Sequence, residues 1–179
     1  MIGFETIGNA TLTVFDDVPV LTTDPWLEGK PYFGSWTHSY NIPQQQRTNI
    51  LNSKYIWLSH GHPDHIDPDS LHYFKDKTFL IADHYGDRIY NDLRKDYNCI
   101  KIKSNEWFEI SKNVRVKPFS DWNQDSCLIV EINKKDIKIK SNTSKNKFLS
   151  MVNKAKKYIK LGDIFQVVLS QRFESKLTK

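Results

Sequence analysis

The chain has 179 residues, 39% of them hydrophobic and 13% aromatic, which suits one ordinary globular domain with its own core. No apolar run approaches the roughly 18 residues that a membrane-spanning helix needs, and residues 1–5 show no basic region leading into an apolar stretch, so we expect a soluble protein. Cys99 and Cys127 lie in apolar contexts without a Cys-x-x-Cys spacing, which predicts buried free thiols and a cytoplasmic location.

The net charge of +5 is distributed unevenly. Residues 1–133 contain 13 Lys and Arg against 18 Asp and Glu, whereas residues 134–179 contain 13 against 3. The basic segment is either an arm for nucleic acid or membrane, or a second segment whose lysines form a solvated helix face. The second interpretation is favoured because the lysines alternate with apolar residues at helical spacing and no aromatic stacking platform accompanies them. We therefore expect no nucleic-acid partner and no membrane partner.

The first elements along the chain predict a β-meander followed by a long loop. Strands are expected at residues 4–7, 10–15 and 18–23, separated by short polar turns. Residues 24–46 contain too many Pro and Gly residues for a helix, and a loop of this length is usually functional.

Strands and helices alternate in the middle of the chain. This rhythm predicts an α/β fold with one sheet covered by helices and packed against a second sheet. The expected helices are 67–75 and 85–96, and the expected strands are 55–59, 78–82, 99–103, 107–110, 114–118 and 126–132.

The pattern changes after Lys134. Ser144 can cap a helix whose apolar residues follow the 3.6-residue period, and Gly162 can end it. Residues 164–173 then read as a strand. These elements predict a short helix-strand tail.

The most specific feature is the run His60-Gly61-His62-Pro63-Asp64-His65, which directly follows the strand at 55–59. Three imidazoles and a carboxylate within six residues are typical of a metal site, and alternate residues of an extended turn point the same way. A polar surface loop is the alternative.

A strand ending in His-x-His-x-Asp-His resembles the metallo-β-lactamase fold superfamily, and the resemblance covers roughly residues 1–133. The segments 23–27 (Thr-Asp-Pro-Trp-Leu) and 33–36 (Phe-Gly-Ser-Trp) are similar to the branch that contains the CMP-N-acetylneuraminate hydroxylases and lactonase-like metal hydrolases. The resemblance implies that His60 and His62 bind one metal and that Asp64 and His65 bind a second. It also implies metal-assisted hydrolysis, in which Asp64 shuttles a proton to the leaving group.

The chain departs from this superfamily in the ligands that should follow. A complete site draws further histidines and a bridging aspartate from later strands, and none is plainly present, so we expect an incomplete, truncated sandwich. Asp121 is the best candidate for the later ligand, with a turn residue as the alternative. His38, His72 and His84 are expected to be solvated or structural more often than ligating, and Cys99 and Cys127 lack the spacing of a Rieske centre.

Residues from about 140 to 179 resemble anthranilate synthase component I. The string at 162–173, Gly-Asp-Ile-Phe-Gln-Val-Val-Leu-Ser-Gln-Arg-Phe, is similar to the opening of its chorismate-binding domain. This resemblance implies chorismate chemistry in tryptophan biosynthesis, with Mg as the cofactor.

The sequence therefore predicts three parts, which are a truncated metallo-β-lactamase-like domain at 1–133, a junction at 134–143 and an anthranilate synthase-like fragment at 144–179. The leading expectation is an αββα-type metal-dependent hydrolase with His60, His62, Asp64, His65 and Asp121 as ligands and Asp64 as the catalytic residue. Zinc is the expected metal, with iron or manganese as alternatives, and the substrate is a small molecule that could be anionic. An anthranilate synthase fragment and an inactive chimeric or decayed gene product are the alternative functions.

Overall fold

The computed structural model describes residues 2–121, 125–133, 139–141, 143–164 and 173–175. The chain divides into two compact units, Met1–Lys134 and Lys135–Lys179. None of the helices in the described ranges combines the length and apolar character that a bilayer crossing requires.

A six-stranded mixed sheet forms the centre of the first unit. Its first three strands are antiparallel, whereas the third to sixth are parallel to one another. The strands lie side by side in chain order. They are β1 (Ile2–Gly8), β2 (Thr11–Asp16), β3 (Val18–Thr23), β4 (Tyr55–Leu58), β5 (Thr78–Ala82) and β6 (Asn98–Ile102).

The helices of this unit pack on one face of the six-stranded sheet. They are α1 (Gln44–Asn52), α2 (Pro68–Leu71), which continues into a 3₁₀ turn at His72–Phe74, and α3 (Arg88–Leu93). Their buried side chains join those of the central strands in a single apolar cluster. The cluster contains Ile50, Phe74, Ile89 and Leu93 from the helical layer and Ile56, Leu58, Phe79 and Ile81 from the sheet.

A second, antiparallel sheet covers the opposite face. It consists of β7 (Phe108–Glu109), β8 (Val114–Ser120) and β9 (Ser126–Ile132). Trp57 and Leu80 point from the first sheet into a core shared with Val114 and Val116 of the second. Successive residues of β4 and β5 thus face opposite cores, which explains why these strands are apolar throughout.

The second unit contains β10 (Ile139–Ser141), β11 (Phe173–Ser175) and α4 (Lys145–Leu161). The helix begins as predicted, because the Ser144 hydroxyl accepts a hydrogen bond from the backbone of Lys147 at 3.3 Å. It ends at Gly162, whose φ of 78° is left-handed. Most of the strand predicted at 164–173 lies outside the described residues.

The predicted α/β class is confirmed, and several element bounds were wrong. The loop predicted to reach residue 46 ends earlier because α1 starts at Gln44, and the helix predicted at 85–96 is shortened to Arg88–Leu93. Cys99 is half-buried, but Cys127 is exposed, so the prediction of a buried thiol fails for Cys127. It lies on β9, where successive side chains alternate between the core and solvent.

Candidate metal centre

The histidine loop lies at the carboxyl edge of the parallel strands. It follows β4, which pairs in parallel with β3 on one side and with β5 on the other. The backbone amides of His65 and Ile66 both donate to the carbonyl of His62, at 3.0 and 2.9 Å. This turn brings the start and the end of the loop together at the sheet edge, where open α/β sheets place their sites.

His60 and His62 form the first donor pair. Nε2 of His60 lies 2.8 Å from Nδ1 of His62, and the two rings meet edge to face with their centroids 4.5 Å apart. The other nitrogen of His60, Nδ1, lies 2.9 Å from Oγ of Ser59. Ser59 thereby holds the ring by the nitrogen that faces away from His62.

Asp64 and His65 form the second donor pair. Nε2 of His65 lies 3.5 Å from Oδ2 of Asp64. The carboxylate of Asp64 is buried and is held by Tyr32, whose hydroxyl donates to Oδ1 at 2.7 Å, and by Asn9, whose amide donates to Oδ2 at 3.0 Å. Both partners come from turns that lie far from Asp64 in the sequence.

Asp24 links the second pair to the strand edge. Its Oδ2 lies 3.0 Å from Nδ1 of His65, and its Oδ1 accepts a hydrogen bond from the backbone amide of Ser59 at 2.8 Å. Asp24 is buried and directly follows β3, so the parallel pairing of β3 with β4 puts it beside the loop. Sequence reasoning treated Asp24 only as part of a family resemblance and missed it as a site residue.

The pKa values of His60 and His65 are shifted in opposite directions. Burial and the neighbouring imidazole of His65 lower the pKa of His60. Burial also opposes charge on His65, but the hydrogen bond and negative charge of Asp24 outweigh it and raise the pKa of His65. The neutral imidazole is the form that binds a metal, and the lowered pKa keeps His60 in that neutral form at pH 7.

The carboxylate of Asp64 is kept ionised. Its burial alone would raise its pKa, but the hydrogen bonds from Tyr32 and Asn9 prevail and lower it. The same bond, with burial and the charge of Asp64, raises the pKa of Tyr32 to about 12. Tyr32 therefore remains a hydrogen-bond donor throughout the physiological range.

Asp121 is placed differently from the other predicted ligands. It is exposed, and its Oδ1 accepts a hydrogen bond from the backbone amide of Asp125 at 3.1 Å. The carboxylate that lies near the histidine loop belongs instead to Asp125, whose Oδ1 lies 3.5 Å from Nδ1 of His60. The structure thus brings His60, His62, Asp64 and His65 together and leaves the carboxylate of Asp121 at the surface.

The remaining histidines differ in their surroundings. His72 is exposed, and His38 stacks on Trp26 with the ring centroids 4.0 Å apart. His84 follows β5 at the same sheet edge and is only 3% exposed, and within the described ranges neither of its ring nitrogens makes a hydrogen bond. Burial lowers the pKa of His84, so its imidazole is neutral at physiological pH.

These donors fit a divalent cation in their chemistry. Two imidazole nitrogens converge in one pair, a carboxylate and an imidazole converge in the other, and carboxylate or hydroxyl groups hold the opposite ring nitrogens of His60 and His65. This second layer is typical of histidines that ligate metals. Within the described ranges, no set of three or more His, Cys, Asp or Glu side chains is already arranged around a single cation position.

The fold and loop define a mixed α/β protein with a histidine-rich site at a parallel sheet edge. A possible metal-dependent hydrolase from Veillonella parvula has a similar fold, with a TM-score of 0.57, 14% sequence identity, and coverage of 75% of this chain and 60% of that one. At this identity the likeness concerns the fold alone. The family model of the chorismate binding enzyme matches residues 42–179, which is more than half of the chain, and the chain belongs to that family.

Two curated relatives represent the two resemblances. Cytidine monophosphate-N-acetylneuraminic acid hydroxylase from Asterias rubens is 25% identical over 122 residues, which cover 63% of this chain and 19% of that protein. Anthranilate synthase component 1 from Acetivibrio thermocellus is 49% identical over 53 residues, which cover 28% of this chain and 11% of that protein. The chain therefore spans a fifth or less of the length of these relatives. The predicted resemblance to anthranilate synthase is confirmed, and the family match begins at residue 42 rather than near residue 140.

Proposed function

We propose that the chain is a metal-dependent hydrolase of the metallo-β-lactamase type. His60 and His62 hold one divalent cation, and Asp64 and His65 hold a second. The observation that carries this proposal is the pairing of donor atoms, with Nε2 of His60 beside Nδ1 of His62 and Nε2 of His65 beside Oδ2 of Asp64. Zinc suits this mixture of imidazole and carboxylate best, and iron or manganese accept the same donors.

A divalent cation supplies Lewis acidity and lowers the pKa of water. In the proposed hydrolysis, the carboxylate of Asp64 takes a proton from the attacking water and passes it to the leaving group. The bond to the water oxygen forms as the bond to the leaving group breaks, so the reaction needs only water as co-reactant. Tyr32 and Asn9 fix the carboxylate in place and keep it ionised until it accepts that proton.

Asp121, which directly follows β8, is proposed as a further ligand. Its Oδ1 accepts a hydrogen bond from the backbone amide of Asp125, and ligation requires that oxygen to give up the bond or to share it. Asp125 lies near His60, with its Oδ1 3.5 Å from Nδ1 of that ring. Replacing each aspartate by Asn, one at a time, and measuring zinc affinity distinguishes which of the two carboxylates takes part.

Metal analysis of the purified full chain tests the proposal. We expect about one to two equivalents of zinc, retained through dialysis and lost in His62→Ala. His72→Ala is the matched control, because His72 is exposed and lies outside the loop. Absence of bound metal after reconstitution with zinc, iron and manganese would overturn the proposal. Asp64→Asn should retain part of the metal and lose turnover on any ester, lactone or phosphoester that the wild-type chain hydrolyses.

Family membership favours a second candidate function, the binding and conversion of chorismate. The family match covers all of the second unit, and the Acetivibrio relative shares nearly half of its residues over the matched stretch. An assay for anthranilate tests this candidate. The chain is incubated with chorismate, ammonia and Mg, and the fluorescence of anthranilate reports its formation. A chain that forms no anthranilate and binds no metal would support the third alternative, an inactive chimeric or decayed gene product.

A further inference from the structure

A cavity of about 520 Å³ lies beside the histidine loop, within the first unit. His60 and His62 of the loop and Arg88 and Ile89 of α3 contribute to its lining. This volume lies within the range of sites that bind small organic molecules. The cavity therefore places a ligand of that size against the two imidazoles.

The inner wall of the cavity is apolar. Ile89 and Leu93 are one helical turn apart on α3, are each only 8% exposed, and line the cavity together with Ile66. The loop backbone lies close to this wall, since a Cβ added at Gly61 would lie 3.8 Å from Cδ1 of Ile89. An apolar portion of a ligand is favoured on this surface, because binding there removes it from water.

Arg88 supplies positive charge to the lining of the same cavity. Its side chain is exposed, and in the part of the chain that the structure describes it takes part in no ion pair. Asp92, four residues along the helix, also lines the cavity and feels the charge of Arg88, but the close partner of its carboxylate is Lys95 at 3.0 Å. The other acidic residue of the cavity, Asp125, faces His60. The guanidinium of Arg88 is thus available to an anion, and its planar fork matches carboxylate, sulfonate and phosphate groups.

We propose that this cavity binds a small organic anion. Arg88 binds the charged group, Ile89 and Leu93 contact the apolar portion, and the bond to be hydrolysed lies at His60 and His62. The position of the reacting bond rests on the proposed hydrolase function. Binding of the anion by Arg88 requires no metal.

Two fluorescent probes of similar shape test the inference with the full chain, first without metal and then after loading with zinc. The anionic probe is 8-anilinonaphthalene-1-sulfonate, and the neutral probe is N-phenyl-1-naphthylamine. We expect Arg88→Gln to weaken binding of the sulfonate about tenfold, as for the loss of one charge-assisted hydrogen bond. The neutral probe should bind wild type and Arg88→Gln equally, because it contacts only the apolar wall.

Arg94→Gln is the matched control, because Arg94 is exposed, directly follows α3 and lies over the ring of Tyr90 rather than in the cavity. Equal sulfonate affinity in wild type and Arg88→Gln, or an equal loss in both arginine variants, would overturn the inference. A loss of sulfonate affinity that is confined to Arg88→Gln in the metal-free protein would support the anion site, even if metal analysis rejects the hydrolase function. The two proposals therefore fail separately.

Discussion

Asp24 and His65 are joined by a contact of 3.0 Å between Oδ2 and Nδ1, although they are 41 positions apart in the chain. The contact fixes the outer nitrogen of the imidazole and turns Nε2 towards Asp64. Because Asp24 also binds the backbone amide of Ser59, one buried carboxylate sets both the position of the strand end and the direction of the ring.

Asp24→Asn should therefore weaken zinc binding. An amide can still accept one hydrogen bond but loses the charge that makes His65 a stronger donor to a cation, and outer partners of this kind are worth about 10- to 100-fold in affinity. Competition with a chromophoric chelator measures the change. Asp76→Asn serves as the control, because Asp76 is an exposed acid paired with Lys77. Zinc affinity equal to wild type in Asp24→Asn would contradict the prediction.

The same pair predicts a pH dependence of stability in the metal-free chain. Burial disfavours charge on His65, but Asp24 raises its pKa above the unfolded value. The contribution of the pair to the free energy of unfolding is therefore fully present below about pH 6.5 and is lost as the pH rises through the folded-state pKa. We expect the difference in unfolding free energy between wild type and Asp24→Asn to shrink from pH 6 to pH 9. Urea unfolding at each pH measures it, and a difference that grows with pH would refute this assignment.

The hydrogen bonds of Asp16 should stabilise the fold in a way that acid weakens. Its Oδ2 accepts a hydrogen bond from the hydroxyl of Ser111 at 2.6 Å, and its Oδ1 accepts one from the side-chain amide of Asn113 at 2.8 Å. These bonds lower the pKa of Asp16, so their contribution is present above the unfolded value near 3.9 and is lost as the pH falls through the folded-state pKa. Asp16→Asn should cost about 1 kcal/mol at pH 7, and less below pH 3. Equal costs at both pH values would count against this prediction.

The two thiols should react very differently. Burial raises the pKa of Cys99 to about 11, whereas Cys127 is exposed on β9. Because the thiolate is the reactive form, a disulfide reagent at pH 8 should modify one thiol per folded chain quickly and the second only on unfolding. Cys127→Ser should abolish the fast phase and Cys99→Ser should leave it intact. Two fast thiols would show that the environment of Cys99 is more open than the structure places it.

The sequence predicted most of the first unit because the information there is local. Apolar runs such as 55–58 and 78–82 are strands buried on both faces. In the second unit, Ser144 and Gly162 marked the ends of α4 correctly. It missed α1 because this helix is polar along most of its length, buries only Ile50, and has no side-chain cap. A pattern of apolar periodicity cannot detect such a helix.

For the site, the sequence by itself determined the loop from His60 to His65, because its donors are neighbours in the chain and follow a strand. Only the tertiary structure decided what surrounds them. Asn9, Tyr32 and Asp24 reach Asp64 and His65 through contacts between residues 32 to 55 positions apart, which arise from the pairing of strands and the path of a loop. Such contacts leave no periodic trace in a single sequence, yet they set the direction and charge of every group in the second donor pair.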